Sequence, residues 1–402
     1  AQAGRRVGRL VLAAPAGPLR SFAPQPLVPG AAMAVAYATG DIRLGAIGTV
    51  TYRDGDRVWG FGHPLDGAGR RALLLQDAYV FRVVNNPIAA PDLGTYKLAA
   101  PGHDLGTLSN DALSAVVGRV GPLPSTVPVR ARVTDEDTGT TRTTALRVAD
   151  EVAVGHPNLP FIAPLAVLQG TVNALHALPP NLSGTLCARI TLRERRAPLG
   201  YCNRYASPSG GFEGEADGNG VLAAAYDLLG ALDLVDRFDR RALHVRRVEA
   251  HLRLRRQGTL LLRAASLPRR VRPGQRVQVR LRVQRPRAEH RTISVPWRVP
   301  RGLRRGARTL TVRGLLPQED RDLVGRMSEE LGPESAGGHG GPRTLRELAR
   351  RVRSFGAWDG LVVRFGDERR RLYRDPAFRI TGRATMRVRV VAPRRPGRRP
   401  GA

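Results

Sequence analysis

The sequence predicts a mostly β protein with a few helices, arranged in more than one domain. Three observations indicate this fold class. Short apolar runs separated by Gly, Asp and Pro recur from residue 27 to about residue 150, and strands that alternate apolar residues with arginine follow from about residue 243. Three further segments have helical spacing. A chain of 402 residues is also long enough for two or three domains.

The first predicted domain spans residues 27–185 and follows an N-terminal extension at 1–26. The Asp-Gly pair within RDGD predicts a tight hairpin turn at Arg53–Asp56. The close spacing of the strands favours a β-barrel or a sandwich with hairpin connections. A helix is predicted at FIAPLAVLQGTVNALHAL. The strands are predicted at AMAVAYA, GAIGTVTYR, DRVWGFG, AYVFRVV, GTYKLAA, VPVRARVTD and RTTALRVAD, with one more candidate at GRLVLAAP in the extension.

Residues 186–242 are predicted to contain a hairpin, a flexible loop and a helix. Cys187 and Cys202 flank the hairpin, so they can face each other at disulfide distance. The alternative is two unrelated small buried residues, and export of the protein would favour the bridge. The loop is SPSGGFEGEADGNG, and VLAAAYDLLGALDLVDRF has the spacing of an amphipathic helix.

The C-terminal part is predicted to begin with an immunoglobulin-like β-sandwich at 243–315. Its arginines alternate with apolar residues, which is typical of the solvated face of an antiparallel sheet. A linker at 316–342 leads to a small α/β segment at 343–392. Thr344 and Glu347 form a capping box that predicts a helix start. The tail at 393–402 is basic and Pro-rich, and it is predicted to be disordered.

The charge of the chain is strongly positive, with a formal net charge of +31 and a pI of about 11.6. Lys97 is the one lysine, so the positive charge is carried by arginine. This usage favours the coding bias of a GC-rich genome over selection for a phosphate-binding surface, since lysine also binds phosphate well. An anionic polymer or an anionic lipid surface is the alternative, and sequence-specific binding of nucleic acid is not expected.

The predicted location is extracytoplasmic and soluble. No stretch approaches the ~20 apolar residues of a membrane-spanning helix. The first residues, AQA, resemble the end of a cleaved export signal, and a fragment boundary is the alternative.

Several motifs in register carry a resemblance to a known family. They are PGAAMAV, GDIRLGAIGTVTY, DGDRVWGFGHPL, YKLAAPGHDLGTLSNDALSAVVGRVG and VPVRARV, and together they cover roughly residues 27–133. This segment resembles the SpoIVB peptidase family, the serine peptidases of the sporulation signalling pathway and their exported bacterial relatives. The C-terminal half is similar to that of the large exported relatives.

The resemblance implies a trypsin-like double β-barrel that uses histidine, aspartate and serine. The histidine of the family's turn matches His63 in GFGHP, where it would be the general base. Such chemistry needs a rigid imidazole within reach of a hydroxyl, with a carboxylate to fix its tautomer. Gly62 and Pro64 restrict the loop on either side of His63, which suits this role.

The family's serine turn, which resembles GMSGSP, is absent from this chain. In such a turn, backbone N–H groups form an oxyanion hole beside the nucleophile. Ala174, in LQGTVNALHA, falls at about the nucleophile's place. The other residues weighed for catalytic roles, none of them in a nucleophile turn, are Ser109, Ser114, Ser183, Ser207 and Ser209, and the carboxylates Asp66, Asp77 and Asp111. Asp111, which follows an asparagine, is predicted to bond its own backbone in a turn.

Three hypotheses follow for the function. The first is a degenerate peptidase homologue that binds a peptide or protein or acts as a scaffold. The second is an active serine peptidase that uses His63 and an unassigned serine. The third is a binder of an anionic polymer or membrane surface through its arginines. No cofactor or metal is expected, because the sequence has no metal-ligand spacing of His or Cys and no phosphate-binding glycine loop.

Overall fold

The computed structural model describes residues 22–85, 96–175, 182–206, 220–256, 259–285, 288–314, 341–354, 361–365, 368–375 and 378–392. These residues form two compact units. The first contains the residues up to Tyr37 together with Arg43–Ser125, and the second contains Ala38–Ile42 and the residues from Thr126 onward. The protein is mostly β, as the sequence predicts. The candidate strand GRLVLAAP, most of the linker and the basic tail lie outside the described residues.

The first unit is built from a ring of strands around an apolar interior. The order of neighbouring strands is β1-β2-β3-β6-β5-β4, and β4 pairs back with β1. Met33 and Leu75 are fully buried inside the ring, and a side chain at Gly60 would meet the sulfur of Met33. The strands are β1 (Ala32–Gly40), β2 (Leu44–Asp54), β3 (Arg57–Gly60), β4 (Gly69–Val84), β5 (Tyr96–Ala112) and β6 (Ala115–Val120). The last residues of β1 belong to the second unit.

The second unit begins with a sheet covered by helices. The strand order is β10-β9-β11-β7-β8, and the end of β1 pairs with β8. Helix α1 packs on β7 and β8, and α2 packs on β9 and β10. The elements are β7 (Thr126–Asp135), β8 (Thr141–Ala149), α1 (Leu159–Leu175), β9 (Leu182–Leu192), β10 (Leu199–Ala206), α2 (Gly220–Asp236) and β11 (Val245–Arg256).

The predicted hairpin is formed by β9 and β10. Cys187 and Cys202 face each other in the register of the two strands and are joined by a disulfide, with Cα atoms 4.1 Å apart. The disulfide therefore links two neighbouring strands, as the spacing of the cysteines suggested. No helix within the described ranges is long and apolar enough to cross a membrane.

The rest of the second unit is a pair of sheets that share one apolar core. The sheet orders are β15-β14-β12-β19 and β13-β20-β16-β17-β18, and both contribute buried side chains such as Trp297 and Phe365. The strands are β12 (Thr259–Ser266), β13 (Arg270–Val271), β14 (Arg276–Gln284), β15 (His290–Arg298), β16 (Gly306–Arg313), β17 (Leu361–Phe365), β18 (Glu368–Tyr373), β19 (Arg379–Thr381) and β20 (Arg383–Val390). Helix α3 (Leu345–Ser354) precedes β17.

The bounds of this two-sheet region differ from the sandwich predicted at 243–315. β11 pairs with β7 and β9 and is not part of it, whereas the strands of the predicted α/β segment at 343–392 complete its second sheet. Alternation of apolar and polar residues shows that one face of a strand is buried, but it does not show which neighbour covers that face. The sequence pattern of β11 is therefore compatible with either sheet and could not show to which one the strand belongs.

Candidate functional site

A strained turn presents His63. The Gly62 N–H donates to the Gly60 carbonyl (2.9 Å) across Phe61, whose φ is 70°. This is the positive-φ form of the γ-turn, which is rare and costs backbone strain. Phe61 is the one non-glycine residue with positive φ among the described residues. Its N–H donates to the Thr49 carbonyl (2.9 Å), so β2 holds the turn in place.

The buried carboxylate of Asp111 fixes the chain that follows His63. Its Oδ1 accepts from the Leu65 N–H (2.7 Å), and its Oδ2 accepts from the N–H groups of Asp66 (2.9 Å) and Ala68 (3.3 Å). Asp111 itself is fully buried at the end of β5. The prediction that it bonds its own turn is therefore wrong: its partners lie more than 40 residues earlier in the chain. Asp111 organises the loop on which His63 lies.

His63 is exposed, and one of its ring nitrogens has a defined partner. Its Nδ1 lies 2.7 Å from the Pro64 carbonyl oxygen. Because a carbonyl can only accept, this contact assigns the proton to Nδ1 and leaves Nε2 unprotonated in the neutral ring. The Phe61 ring lies beside the imidazole, with centroids 5.7 Å apart. The geometry therefore offers Nε2 as a base to a group approaching from solvent.

No hydroxyl is hydrogen-bonded to His63 within the described ranges. The Ser109 hydroxyl donates to the Val117 carbonyl (3.3 Å), and Ser114 is exposed in the turn between β5 and β6. In the second unit, the Ser183 hydroxyl donates to the Arg255 carbonyl, and Ala174 is buried in α1. Ser207 and Ser209 lie outside the described residues.

A charged cluster supports the other side of the same loop. Asp66 accepts hydrogen bonds from the Tyr37 hydroxyl (2.8 Å) and from the guanidinium of Arg71 (2.6 and 2.7 Å to its two oxygens). Burial of the Asp66 carboxyl acts to raise its pKa, but the hydrogen bonds from Arg71 and Tyr37 and the positive charge of Arg71 outweigh burial and hold that pKa well below its usual range. Burial, assisted by the bond to Asp66, raises the pKa of Tyr37 above its usual range.

A carboxylate–imidazole pair that the sequence did not suggest lies elsewhere in the first unit. Asp77 is fully buried, and its Oδ2 lies 3.0 Å from Nδ1 of His103. The same oxygen accepts from the Gln25 N–H (2.6 Å). His103 also packs edge-on against Phe22, with centroids 5.3 Å apart. This unit therefore contains a carboxylate–imidazole pair, but its histidine is His103 and not His63.

The one local signal for this pair is the glycine before the histidine. A Cβ at Gly102 would lie 2.1 Å from Oδ1 of Asp77, so only glycine allows the backbone to approach the carboxylate. The pairing joins β4 to β5 across 26 residues of sequence. Glycine followed by histidine occurs in many loops, which is why the sequence alone did not indicate the pair.

Two histidines of the second unit have side-chain partners. His244 Nδ1 lies 2.9 Å from Oε1 of Glu194, and His251 Nε2 lies 3.3 Å from the Thr134 hydroxyl. Burial, with the charges of nearby arginines, lowers the pKa of His251. In the described part of the chain, no group of three or more His, Cys, Asp or Glu side chains could hold a metal ion.

Comparison with known proteins adds no relative. No protein-family model matches the chain, and neither a curated protein nor a solved structure matches it. A function for the chain is therefore inferred from the His63 loop, from the surfaces of the two units and from the resemblance of residues 27–133.

Proposed function

We propose that this protein is an extracytoplasmic SpoIVB-peptidase-like protein that binds a peptide or protein segment and has little or no peptidase activity. The first unit would correspond to a trypsin-like barrel, and the two-sheet region to an immunoglobulin-like sandwich. The observation that carries the proposal is the combination at His63 of a rigidly presented base with no hydroxyl partner among the described residues.

The supports of the His63 loop are those expected of a site that once required accurate geometry. The γ-turn at Phe61 stores strain, and such strain persists where the surroundings impose it. Three backbone N–H groups on Asp111 and the ion pair between Asp66 and Arg71 supply those surroundings. A loop that merely connected two strands would not need this number of restraints.

A peptidase needs a nucleophile and an oxyanion hole, but the sequence lacks the family's serine turn and no hydroxyl among the described residues is bonded to His63. Removal of such parts lowers catalysis by several orders of magnitude, whereas binding of a substrate depends on other contacts. Ala174, at about the nucleophile's place by sequence, has a methyl side chain that is 4% exposed. A protein that retains the base and lacks the nucleophile is expected to bind and not to cleave.

A binding role is supported by the apolar surface of the first unit. Ten of the twelve large apolar side chains that are exposed in the described residues belong to this unit. Leu113 is 81% exposed, and a Cβ at Gly67 in the His63 loop would lie 3.5 Å from its Cδ2. Leu113 therefore offers an apolar contact beside the His63 loop that a bound polypeptide would cover. The disulfide supports an oxidising, extracytoplasmic location.

A fluorophosphonate probe, which labels activated serines, tests the absence of catalysis. We expect the folded protein to be labelled no more than a heat-denatured sample. The His63→Ala variant would then show the same background, as would the matched control His103→Ala. Labelling that is lost in His63→Ala and kept in His103→Ala would instead establish an active peptidase, and mapping the adduct would identify its serine.

A second experiment tests binding. Fluorescence anisotropy with labelled peptides from unfolded casein should report a complex, and Leu113→Asp should weaken it by about tenfold because an apolar contact is replaced by a charge. Leu123→Asp is the control, since Leu123 is also exposed but lies beyond the opposite end of β6. Equal affinities for all three proteins would contradict a binding site beside the His63 loop.

A further inference from the structure

The positive charge of the chain is unevenly distributed along the sequence. Residues 22–125, which contain the His63 loop, have eight basic residues and eight aspartates. Residues 259–314, which supply β12 to β16, have sixteen arginines and a single carboxylate, Glu289. A coding bias acts on the whole chain and explains why arginine replaces lysine, but it does not explain why sixteen arginines are accompanied by a single carboxylate in this region.

The register of two strands places four of these arginines on one surface. β14 alternates buried valine and leucine with exposed residues, and its neighbour β15 continues the same face. Arg276 lies directly opposite Arg298, whereas Arg280 and Arg282 lie opposite Ser294 and Thr292. We define Arg276, Arg280, Arg282 and Arg298 as the arginine face.

The arginine face is unfavourable for the free protein. Like charges directly opposite each other in a sheet are destabilising, as Arg276 and Arg298 are. Within the described ranges, none of the four arginines forms an ion pair, whereas Arg253 and Arg255 on β11 share Glu136. The arginines of this face repel one another, and no carboxylate among the described residues offsets that repulsion. An anionic ligand would offset it, so the face is expected to bind anions.

The residues around these arginines restrict the class of ligand. The exposed positions between them are Gln278, Thr292, Ser294 and Pro296, and none of the exposed large apolar side chains lies on this face. Binding of single-stranded nucleic acid uses aromatic rings on which bases stack, and these strands expose none. Three of the four arginines follow β14 and the fourth lies on β15, so the charged face spans two neighbouring strands and can contact more than one headgroup.

We propose that the arginine face docks the protein on a membrane surface rich in anionic phospholipid. Each guanidinium can donate two hydrogen bonds to a phosphate, and arginines close to an anionic leaflet add favourable electrostatic energy. Without apolar side chains to insert, docking is electrostatic and reversible by salt. This inference is independent of the proposed peptidase-like function, because it uses a different part of the chain.

Co-sedimentation of the purified full chain with vesicles tests the proposal. We expect binding to vesicles of phosphatidylglycerol and phosphatidylcholine, none to phosphatidylcholine alone, and release at about 0.5 M salt. Replacing all four residues of the arginine face by glutamine should lower the partition coefficient by about a hundredfold or more. Circular dichroism and thermal unfolding check that the variant is folded, and Arg280→Gln with Arg282→Gln gives an intermediate variant.

A matched variant distinguishes an effect of the arginine face on vesicle binding from an effect of net charge alone. Arg119, Arg247, Arg253 and Arg255 have half-exposed side chains and lie near carboxylates. Their replacement by glutamine removes the same charge and should change vesicle binding by less than about threefold. Equal losses in both variants, or no binding to anionic vesicles, would overturn the proposal. Tighter binding to single-stranded DNA than to vesicles, lost in the face variant, would assign the surface to nucleic acid instead.

Discussion

Asp111 and Asp66 are linked by a hydrogen bond from the backbone N–H of Asp66 to Oδ2 of Asp111 (2.9 Å). One carboxylate therefore positions the residue that supplies the other, and the loop that presents His63 is held from two sides. Asp111 contacts its backbone, and Tyr37 and Arg71 contact the Asp66 side chain. The stability of the loop is expected to depend more on these groups than on His63.

Asp111→Asn should destabilise the first unit. The Asn amide nitrogen would face N–H groups that now donate to Oδ2, so buried donors would lose their acceptor, at a cost of roughly 2–3 kcal/mol. Urea denaturation followed by tryptophan fluorescence measures the free energy of unfolding. Ser114→Ala, at an exposed site in the adjoining turn, is the control and should leave it unchanged. A stability equal to that of the wild type would show that the bonds to Asp111 contribute nothing.

The positive φ of Phe61 predicts that a glycine variant at this position is more stable than an alanine variant, which reverses the usual order. Glycine in a strand or loop is ordinarily less stable than alanine because it loses more backbone entropy on folding. At a φ of 70°, however, a Cβ costs about 1 kcal/mol or more, and glycine does not pay it. Both Phe61→Gly and Phe61→Ala lose the ring, so their difference isolates the backbone. Thermal unfolding should show that the glycine variant is more stable by about 1 kcal/mol. Greater stability of the alanine variant would contradict the positive φ.

Local signals in the sequence predicted the helices well. The segments read as helices at 161–178 and 221–238 are α1 at Leu159–Leu175 and α2 at Gly220–Asp236. At α3, the Thr344 hydroxyl accepts from the Glu347 N–H (3.1 Å), as the capping box requires. These features depend on residues within one or two turns, so the sequence contains all the necessary information.

Partners that are distant in sequence could not be predicted. The contacts of Asp77 with His103 and of Asp111 with Leu65 depend on the register of β4 against β5, which no single strand encodes. The same limit applied to β11, whose pattern fits any sheet with one buried face. The candidate histidine could be named from its motif, but the groups that hold its loop could not.

The cluster of Tyr37, Asp66 and Arg71 predicts a dependence of stability on pH. The pKa of Asp66 is lowered in the folded state, so its contribution is present above the unfolded value of about 3.9 and is lost as pH falls through the lower folded value. Urea midpoints between pH 7 and pH 2 should fall less steeply for Asp66→Asn than for the wild type. Asp56→Asn, which removes an exposed partner of Arg119, is the control. Identical acid profiles for Asp66→Asn and the wild type would contradict the assignment.

Tyr37 predicts a dependence of stability on pH in the alkaline range, with the opposite sign. The pKa of Tyr37 is raised in the folded state, so its contribution is complete below the unfolded value of about 10 and is lost as pH rises further. Tyr37→Phe keeps the ring, which lies 5.3 Å from the Arg71 guanidinium carbon, and removes the hydroxyl. Its stability should therefore vary less than that of the wild type between pH 9 and pH 11. A steeper loss in Tyr37→Phe would show that another group governs the alkaline transition.

The disulfide between Cys187 and Cys202 should stabilise the second unit by lowering the conformational entropy of the unfolded chain. The cysteines are 15 residues apart, and closing a loop of that length is worth about 3 kcal/mol in the chain-entropy description. Replacing both cysteines by serine should lower the free energy of unfolding by roughly that amount, as should reduction of the wild type, measured by urea denaturation. Reduction of the double variant is the control and should have no effect. Because the bridge joins paired strands of one hairpin, its loss should not alter the fluorophosphonate result, which reports on His63 in the first unit. An unchanged stability in the double variant would mean that the unfolded chain already keeps this hairpin closed.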